Sequence, residues 1–329
     1  MDTMQAFVET LKVSRKQSHR NLTVIPLLAS DHGDPDYLTL EEGLSQGSVI
    51  ITEISTGGSV PELKLVNKSA DKVLVVDGEE LMGAKQNRIV NASFLITALS
   101  EIVIPVSCVE QGRWSYRSAM FSSGEKIMPP SLKREYQKNV ACSLERGAGY
   151  RSDQGMIWNE IEEKARRMKV KSSTGAMADL FDDQKVRLDD YLKAFHLMDN
   201  QVGALFAING GIVGMESFGH WQTFSKFFKK LIQSYALDAL DWLEEGKEEK
   251  EVSVADIRRF LEGVQNAPQK TYPSLGLGEN IRFQGPFVSG AALLNDGFVL
   301  HLSGFQNQGS DEIKPKVPYQ RFSQRKKRT

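Results

Sequence analysis

SVIITEIS (48–55), VPELKLVN (60–67), KVLVVDGEEL (72–81), NRIVNASFLI (87–96) and EIVIPVSCVE (101–110) follow one another with apolar and β-branched residues at a period close to two. That period puts alternate side chains on one face of an extended chain, so the runs read as five strands. Asp77-Gly78 has the residues of a tight primed hairpin turn. Val60, Leu63 and Leu65 do not alternate perfectly, which suggests a half-buried strand with a local bulge. Pro105 has no amide to donate and argues for an edge or a bulge. The first third of the chain is expected to be mostly antiparallel sheet, a sandwich or a partly closed barrel.

Working outward, residues 1–20 read as a polar lead-in and NLTVIPLLAS (21–30) as a first strand. Thr39 stands three residues before Glu42, the spacing of a capping box, and opens a short helix that stops near Gly47. Residues 113–153 are rich in Ser, Gly and Arg, with Pro129-Pro130 marking a turn. A charged helical pattern covers Trp158 to Lys169. Met177, Leu180, Phe181, Leu188, Tyr191, Leu192, Phe195 and Met198 recur at the helical period and predict one amphipathic helix from Met177 to Asp199. Asn209-Gly210-Gly211 and Asp296-Gly297 each sit between strand-like runs and signal hairpins. Between them, a helix from about Thr223 to Glu244 carries Phe224, Phe227, Phe228, Leu231, Tyr235 and Leu240 on its apolar side, and a shorter one starts at Ser253.

Strands do not alternate with helices as a doubly wound sheet requires, so the expected class is α+β, a sheet-rich N-terminal region followed by a helical middle and a second mixed region of hairpins and helices. The expected divisions are 21–125 for the β region and 126–305 for the remainder, with one shared core or two, then a basic flexible tail over 306–329. From Lys314 to Arg328 there are seven basic residues and no acidic one.

The chain has 329 residues, 41 basic against 42 acidic, for a net charge of -1. A whole-surface grip on nucleic acid is excluded, and any such contact falls to the basic tail. Cys108 and Cys142 are the only cysteines, too few for a disulfide scaffold or a multi-cysteine metal site. No run approaches the roughly 20 apolar residues that cross a bilayer, and the first residues lack a signal-peptide core, so the expected compartment is the cytoplasm with no membrane partner.

Phosphate-loop, dinucleotide, zincin, nucleophile-elbow and calcium-loop signatures are all missing. The densest polar run is Asp77 to Arg88, where Asp77, Glu79, Glu80, Lys85, Gln86, Asn87 and Arg88 gather around one turn and its exit, with Gly83 as a bend. Carboxylates beside a Lys-Arg pair can move protons while holding an anion; a solvated hairpin is the plainer explanation. A second cluster, Cys108, Glu110, Gln111, Arg113 and Trp114, follows an apolar strand. Cys108 is a candidate nucleophile without an adjacent base, and otherwise a buried core thiol. Trp114 is either a stacking platform or a rim aromatic. Glu216 and His220 form a third group beside four glycines, explained most simply by a hairpin joined to a helix.

Taken together, GEELMGAKQNR (78–88), VSCVEQGRW (106–114) and INGGIVGMESFG (208–219) resemble the ARG-and-rhodanese-phosphatase-superfamily-associated protein domain, a bacterial and archaeal family, over about residues 20–305. The resemblance implies a link to nucleotide, ADP-ribose or phosphate-ester metabolism. It singles out Gly78, Glu79, Glu80, Gly83, Lys85, Gln86, Asn87 and Arg88, then Cys108, Glu110, Gln111, Gly112, Arg113 and Trp114. The resulting expectation is an enzyme or enzyme-like domain, hydrolytic in one version, for a small phosphorylated or nucleotide-derived ligand. Glu80 or Glu110 would be acid or base, Lys85, Arg88 and Arg113 would hold an anion, and Gln86 and Asn87 would orient the ligand. Glu79, Glu80 and Glu110 would suit magnesium or manganese, since hard cations take oxygen ligands. The alternative is a non-catalytic assembly module, a homo-oligomer whose helix from Phe224 to Tyr235 packs against a second subunit.

Overall fold

The computed structural model describes residues 3–30, 33–55, 57–243 and 251–307. Its helices are α1 (Thr3–Thr10), α2 (Leu40–Ser45), α3 (Pro130–Glu145), α4 (Gln154–Met168), α5 (Met177–Asp183), α6 (Lys185–Ala194), α7 (Trp221–Asp241) and α8 (Val254–Asn266). Its strands are β1 (Lys12–Val13), β2 (Gln17–His19), β3 (Leu22–Leu28), β4 (Tyr37–Thr39), β5 (Val49–Glu53), β6 (Glu62–Asn67), β7 (Lys72–Val75), β8 (Glu79–Gly83), β9 (Arg88–Val90), β10 (Phe94–Ile96), β11 (Ser100–Cys108), β12 (Phe121–Ile127), β13 (Gln201–Ile208), β14 (Gly211–Phe218), β15 (Gln269–Pro273), β16 (Glu279–Gln284), β17 (Val288–Asn295) and β18 (Phe298–Gln306). The class is α+β.

The strands form a large sheet ordered β1-β3-β13-β14-β18-β17-β16-β15 with β2 beside β3, a second sheet ordered β12-β8-β9-β11-β6-β5, and a small one ordered β10-β7-β4. All neighbours are antiparallel except β4 and β7. One apolar cluster runs from Val24 through Leu65, Phe94 and Tyr136 to Phe218, Phe227, Leu237 and Leu300, so it joins the large sheet, the smaller sheets and α7. A second cluster covers the opposite face of the large sheet, where Met4 of α1 and Phe260 of α8 meet Ile25, Leu205, Met215 and Leu302. Neighbours Val24 and Ile25 thus fall in different cores, as the two-residue period of a strand dictates.

Local signals explain many of the boundaries. Thr39 and Glu42 make the reciprocal capping box at the start of α2. Asp153 and Ser253 cap α4 and α8 through side-chain oxygens. Asn209-Gly210 turns β13 into β14 and Asp296-Gly297 turns β17 into β18, each pair with positive φ, the conformation a primed turn requires.

Other elements depart from the sequence expectation. Asp77-Gly78 is not a hairpin: β7 pairs with β10 and β4, whereas β8 pairs with β12 and β9, so this turn hands the chain from one sheet to another. The run 60–67 has no bulge, since β6 pairs in unbroken register with both β5 and β11, with Leu63 and Leu65 buried in alternation. Pro105 lies inside β11, at the point where its partner changes from β6 to β9. Residues 1–20 are not a mere lead-in, because α1 buries Met4 and Val8. The segment 113–153 contains β12 and the sixteen-residue α3, which begins with Pro130 in its first turn, where a missing amide costs nothing. The helix expected from Met177 to Asp199 is two helices broken at Gln184.

The aromatic face of α7, expected to meet a second subunit in the assembly-module alternative, is buried within the chain. Phe227 stacks on Phe218 at 4.8 Å, Tyr235 on Phe206 at 3.7 Å, and Phe224 is fully buried. Each such ring contributes on the order of 1.5–3 kcal/mol by burial. No helix among the described residues is long and apolar enough to cross a membrane. The basic stretch from Lys314 to Arg328 lies outside the described residues.

Candidate functional site

The segments 79–88 and 106–114 are separated by one further strand, β10, and the start of β11, and antiparallel pairing puts them side by side: β8 pairs with β9, and β9 with the end of β11. Gln86 Nε2 donates to the carbonyl of Glu110 at 2.9 Å, and the amide of Asn87 donates to Glu110 Oε2 at 3.1 Å. Arg113 closes the group. Its guanidinium donates to the carbonyls of Gly83, Ala84 and Ser115 and to Asn87 Oδ1, and pairs with Glu110 at 2.6 Å. Gly83 permits this with φ of 129°; a Cβ there would stand 2.5 Å from Ser118 Oγ and 2.7 Å from the carbonyl of Met120.

The pleat then divides the group in two. Glu80 pairs with Ile89 and Leu81 with Arg88, so Glu80 and Arg88 leave opposite faces of the ribbon. On one face lie Glu80, Asn87, Glu110 and Arg113. Burial pushes the Glu80 carboxyl up to about 7, only partly offset by Lys126 and the Asn87 amide, and its Oε2 has no hydrogen-bond partner among the described residues. Burial also raises Glu110, but Arg113, the Asn87 amide and Thr174 more than reverse this and hold it below the usual carboxylate range.

On the other face lie Glu53, Lys85, Gln86, Arg88, Cys108 and Trp114. Arg88 is fully buried. Its Nη1 donates to Gln86 Oε1 at 2.8 Å, while Nε and Nη2 make no hydrogen bond to oxygen or nitrogen among the described residues. Glu53 lies 4.0 Å away with both carboxylate oxygens equally unpaired. Above them, Lys85 Nζ sits 5.1 Å from the Trp114 ring and 5.2 Å from that of Tyr116, and both rings are half exposed. Burial raises the Cys108 thiol, which makes it a poor nucleophile. Glu79, at the start of β8, is engaged elsewhere, accepting from the amide of Val76 and from Lys230. Glu79, Glu80 and Glu110 therefore do not converge, and no cluster of three or more His, Cys, Asp or Glu side chains able to hold a metal occurs among the described residues.

A family model, that of the ARG and Rhodanese-Phosphatase-superfamily-associated Protein domain, matches residues 10–305. The chain belongs to this family. No curated protein matches it, and no solved structure does.

The chain also contains a buried ionic group of which the sequence disclosed only Asp77 and Glu216. Lys133 Nζ lies 3.0 Å from Asp77 Oδ1 and 2.8 Å from Glu216 Oε1, and His301 joins Glu216 Oε2 at 2.9 Å and Ser93 Oγ at 2.9 Å. Gln137 donates to Asp77 and, at 2.7 Å, to Ser303. Burial opposes charge on Asp77, yet Lys133, His301 and Gln137 together bring it down to about 2. Lys133 and His301 carried no local motif. The one available hint was a buried-looking spacing in α3, where Leu132, Tyr136 and Val140 repeat every four residues beside them. His220, by contrast, stays at the edge of α7, bonded to the carbonyl of Gly33.

Proposed function

We propose that this chain is a cytoplasmic enzyme-like domain that binds a small phosphorylated or nucleotide-derived ligand on the face formed by Glu53, Lys85, Arg88, Trp114 and Tyr116. The observation that carries the reading is Arg88, a buried guanidinium beneath a half-exposed indole 5.8 Å away. Among the described residues its Nε and Nη2 make no hydrogen bond to oxygen or nitrogen and have only the loose 4.0 Å contact with Glu53 and the Cys108 sulfur beside them. Arginine cannot shed its charge, and each unsatisfied buried donor costs about 1–3 kcal/mol. A ligand phosphate would satisfy those donors by charge-assisted bonds, while a base or sugar would rest against Trp114 and Tyr116. Lys85, held between the two rings, supplies a second cation, and Glu53 offers acceptors to a ligand hydroxyl. Glu110 is pinned as the counter-ion of Arg113, and Glu80 issues from the far face, so the reading is one of ligand capture on the Arg88 side.

The test is thermal-shift screening of the full chain against nucleoside phosphates, ADP-ribose and sugar phosphates, followed by calorimetry on any compound that raises Tm. One compound class is expected to bind saturably and to lose at least tenfold in affinity in Arg88→Gln and in Trp114→Ala. Binding that survives both substitutions, or no binding across the panel, would sink the reading.

A further inference from the structure

Cross-strand pairing in the large sheet sets five residues in one row: Lys270 opposite Arg282, Arg282 opposite Ala291, Ala291 opposite Ser303, and Ser303 opposite Glu216. Residues paired in this way project from the same face. Helix α3 meets that row with positions 133, 137, 141 and 145, a single stripe at four-residue spacing. Three of the four steps are matched. Lys133 donates to Glu216 at 2.8 Å, Gln137 to Ser303 at 2.7 Å, and Glu145 accepts from Lys270 at 2.6 Å.

The fourth step is Ala141, and the residue left without a partner is Arg282. Its Nε, Nη1 and Nη2 are all buried with no hydrogen bond among the described residues, and the residue is 6% exposed. Arg282 and Ala141 line one cleft of about 480 Å³, together with Gln137, Lys138, Lys270 and Ser289. The Tyr150 ring, 5.9 Å from the guanidinium carbon, steadies Arg282 by a cation–π contact.

We propose that this cleft binds the oxyanion of a small molecule, a phosphate or carboxylate group, seated on Arg282 in the gap that Ala141 leaves under α3. Two kinds of balance separate here. Charge is already compensated, because Lys133 and Arg282 stand against Asp77 and Glu216 within the same interior. Hydrogen bonding is not, because Lys133 takes both nearby carboxylates and Arg282 keeps an idle fork. The planar fork fits two oxygens of a phosphate or carboxylate at once. Lys138 and Lys270 stand at the mouth, each already paired with a carboxylate, Glu135 at 3.3 Å and Glu145 at 2.6 Å, so the guanidinium of Arg282 is the cation that faces the gap. The site is carried by the large sheet and is independent of the Arg88 reading.

Calorimetric titration of the full chain with inorganic phosphate, pyrophosphate and acetate tests this and separates a phosphate from a carboxylate preference. At least one anion is expected to bind with one-to-one saturation. Ala141→Glu would supply the missing partner to Arg282. It is expected to weaken that binding at least tenfold and to raise Tm in anion-free buffer. Arg282→Lys keeps the charge near Asp77 but loses the fork, and the same tenfold loss is expected. Arg88→Gln is expected to leave this binding within twofold. Absence of saturable binding for all three anions overturns the proposal, as does binding unchanged in Ala141→Glu. Binding lost in Arg88→Gln alone also overturns it, while leaving the Arg88 face intact as a ligand site.

Discussion

The Nζ of Lys133 stands 2.8 Å from Oε1 of Glu216, across 83 residues of chain, and neither side chain reaches solvent. The same ammonium holds Asp77 at 3.0 Å, so one cation serves two buried carboxylates. Lys133→Met should therefore strand both and destabilise the fold by roughly 3–5 kcal/mol, measured by urea denaturation. Glu216→Gln combined with Lys133→Met should recover part of that loss. A single-mutant effect below about 1 kcal/mol would show that the pair is not needed for stability.

Asp77 and Glu80 predict opposite responses to pH. The Asp77 carboxyl falls to about 2 in the folded chain, so its contribution is complete above its unfolded value and is lost as pH falls toward 2. Glu80 rises to about 7, so the folded state holds a proton that the unfolded state releases near 4.5. Its effect is a stability that declines as pH climbs from about 4.5 to 7, by at most about 3 kcal/mol. Glu80→Gln should accordingly raise Tm at pH 8 relative to the unaltered chain and leave it nearly equal at pH 5. Parallel Tm profiles for the two proteins would contradict this.

The two thiols should react at very different rates. Cys142 is exposed on α3, whereas Cys108 is buried and raised by that burial. Iodoacetamide at pH 8 should label Cys142 in the folded protein within minutes and Cys108 only after denaturant is added, as read by peptide mass spectrometry.

Gly83 fixes the path of the chain under Arg113. With φ of 129° and a built Cβ 2.7 Å from the Met120 carbonyl, Gly83→Ala faces both backbone strain and a backbone clash. A loss of about 2–3 kcal/mol is expected by chemical denaturation. Since Gly83 also accepts from Arg113, the adjacent Trp114 should report the displacement as a shifted fluorescence maximum.

Much of this architecture was legible in the sequence, and the reasons differ by element. The two-residue period announced five runs, although 72–81 and 87–96 each divide into two strands, so that they supply the seven strands β5 to β11; two hairpins were announced by Asn-Gly and Asp-Gly. Asp77-Gly78 misled because a turn dipeptide states the local bend and not which strands pair across it. Helix α3 was hidden because it buries Lys133, Arg134 and Gln137 as well as Leu132 and Tyr136, so its inner face does not look apolar. At the candidate site, the proximity of 79–88 to 106–114 was foreseeable, but its division into two faces was not. Whether Arg88 and Glu80 point apart depends on register, and register is set by distant partners. Arg282 had no local signature at all; its significance arises from an alanine on another element.

The pairing of β3 with β13 has a consequence for synthesis. Leu28 and Gln201 are partners, so an apolar strand made early waits for one made about 170 residues later. At the usual pace of a ribosome that interval lasts roughly ten to thirty seconds, during which LTVIPLL is a bare, adhesive edge. A nascent chain stalled before residue 200 is thus expected to engage a chaperone through Leu22–Leu28, and a chain released past residue 307 to have buried that segment on both faces.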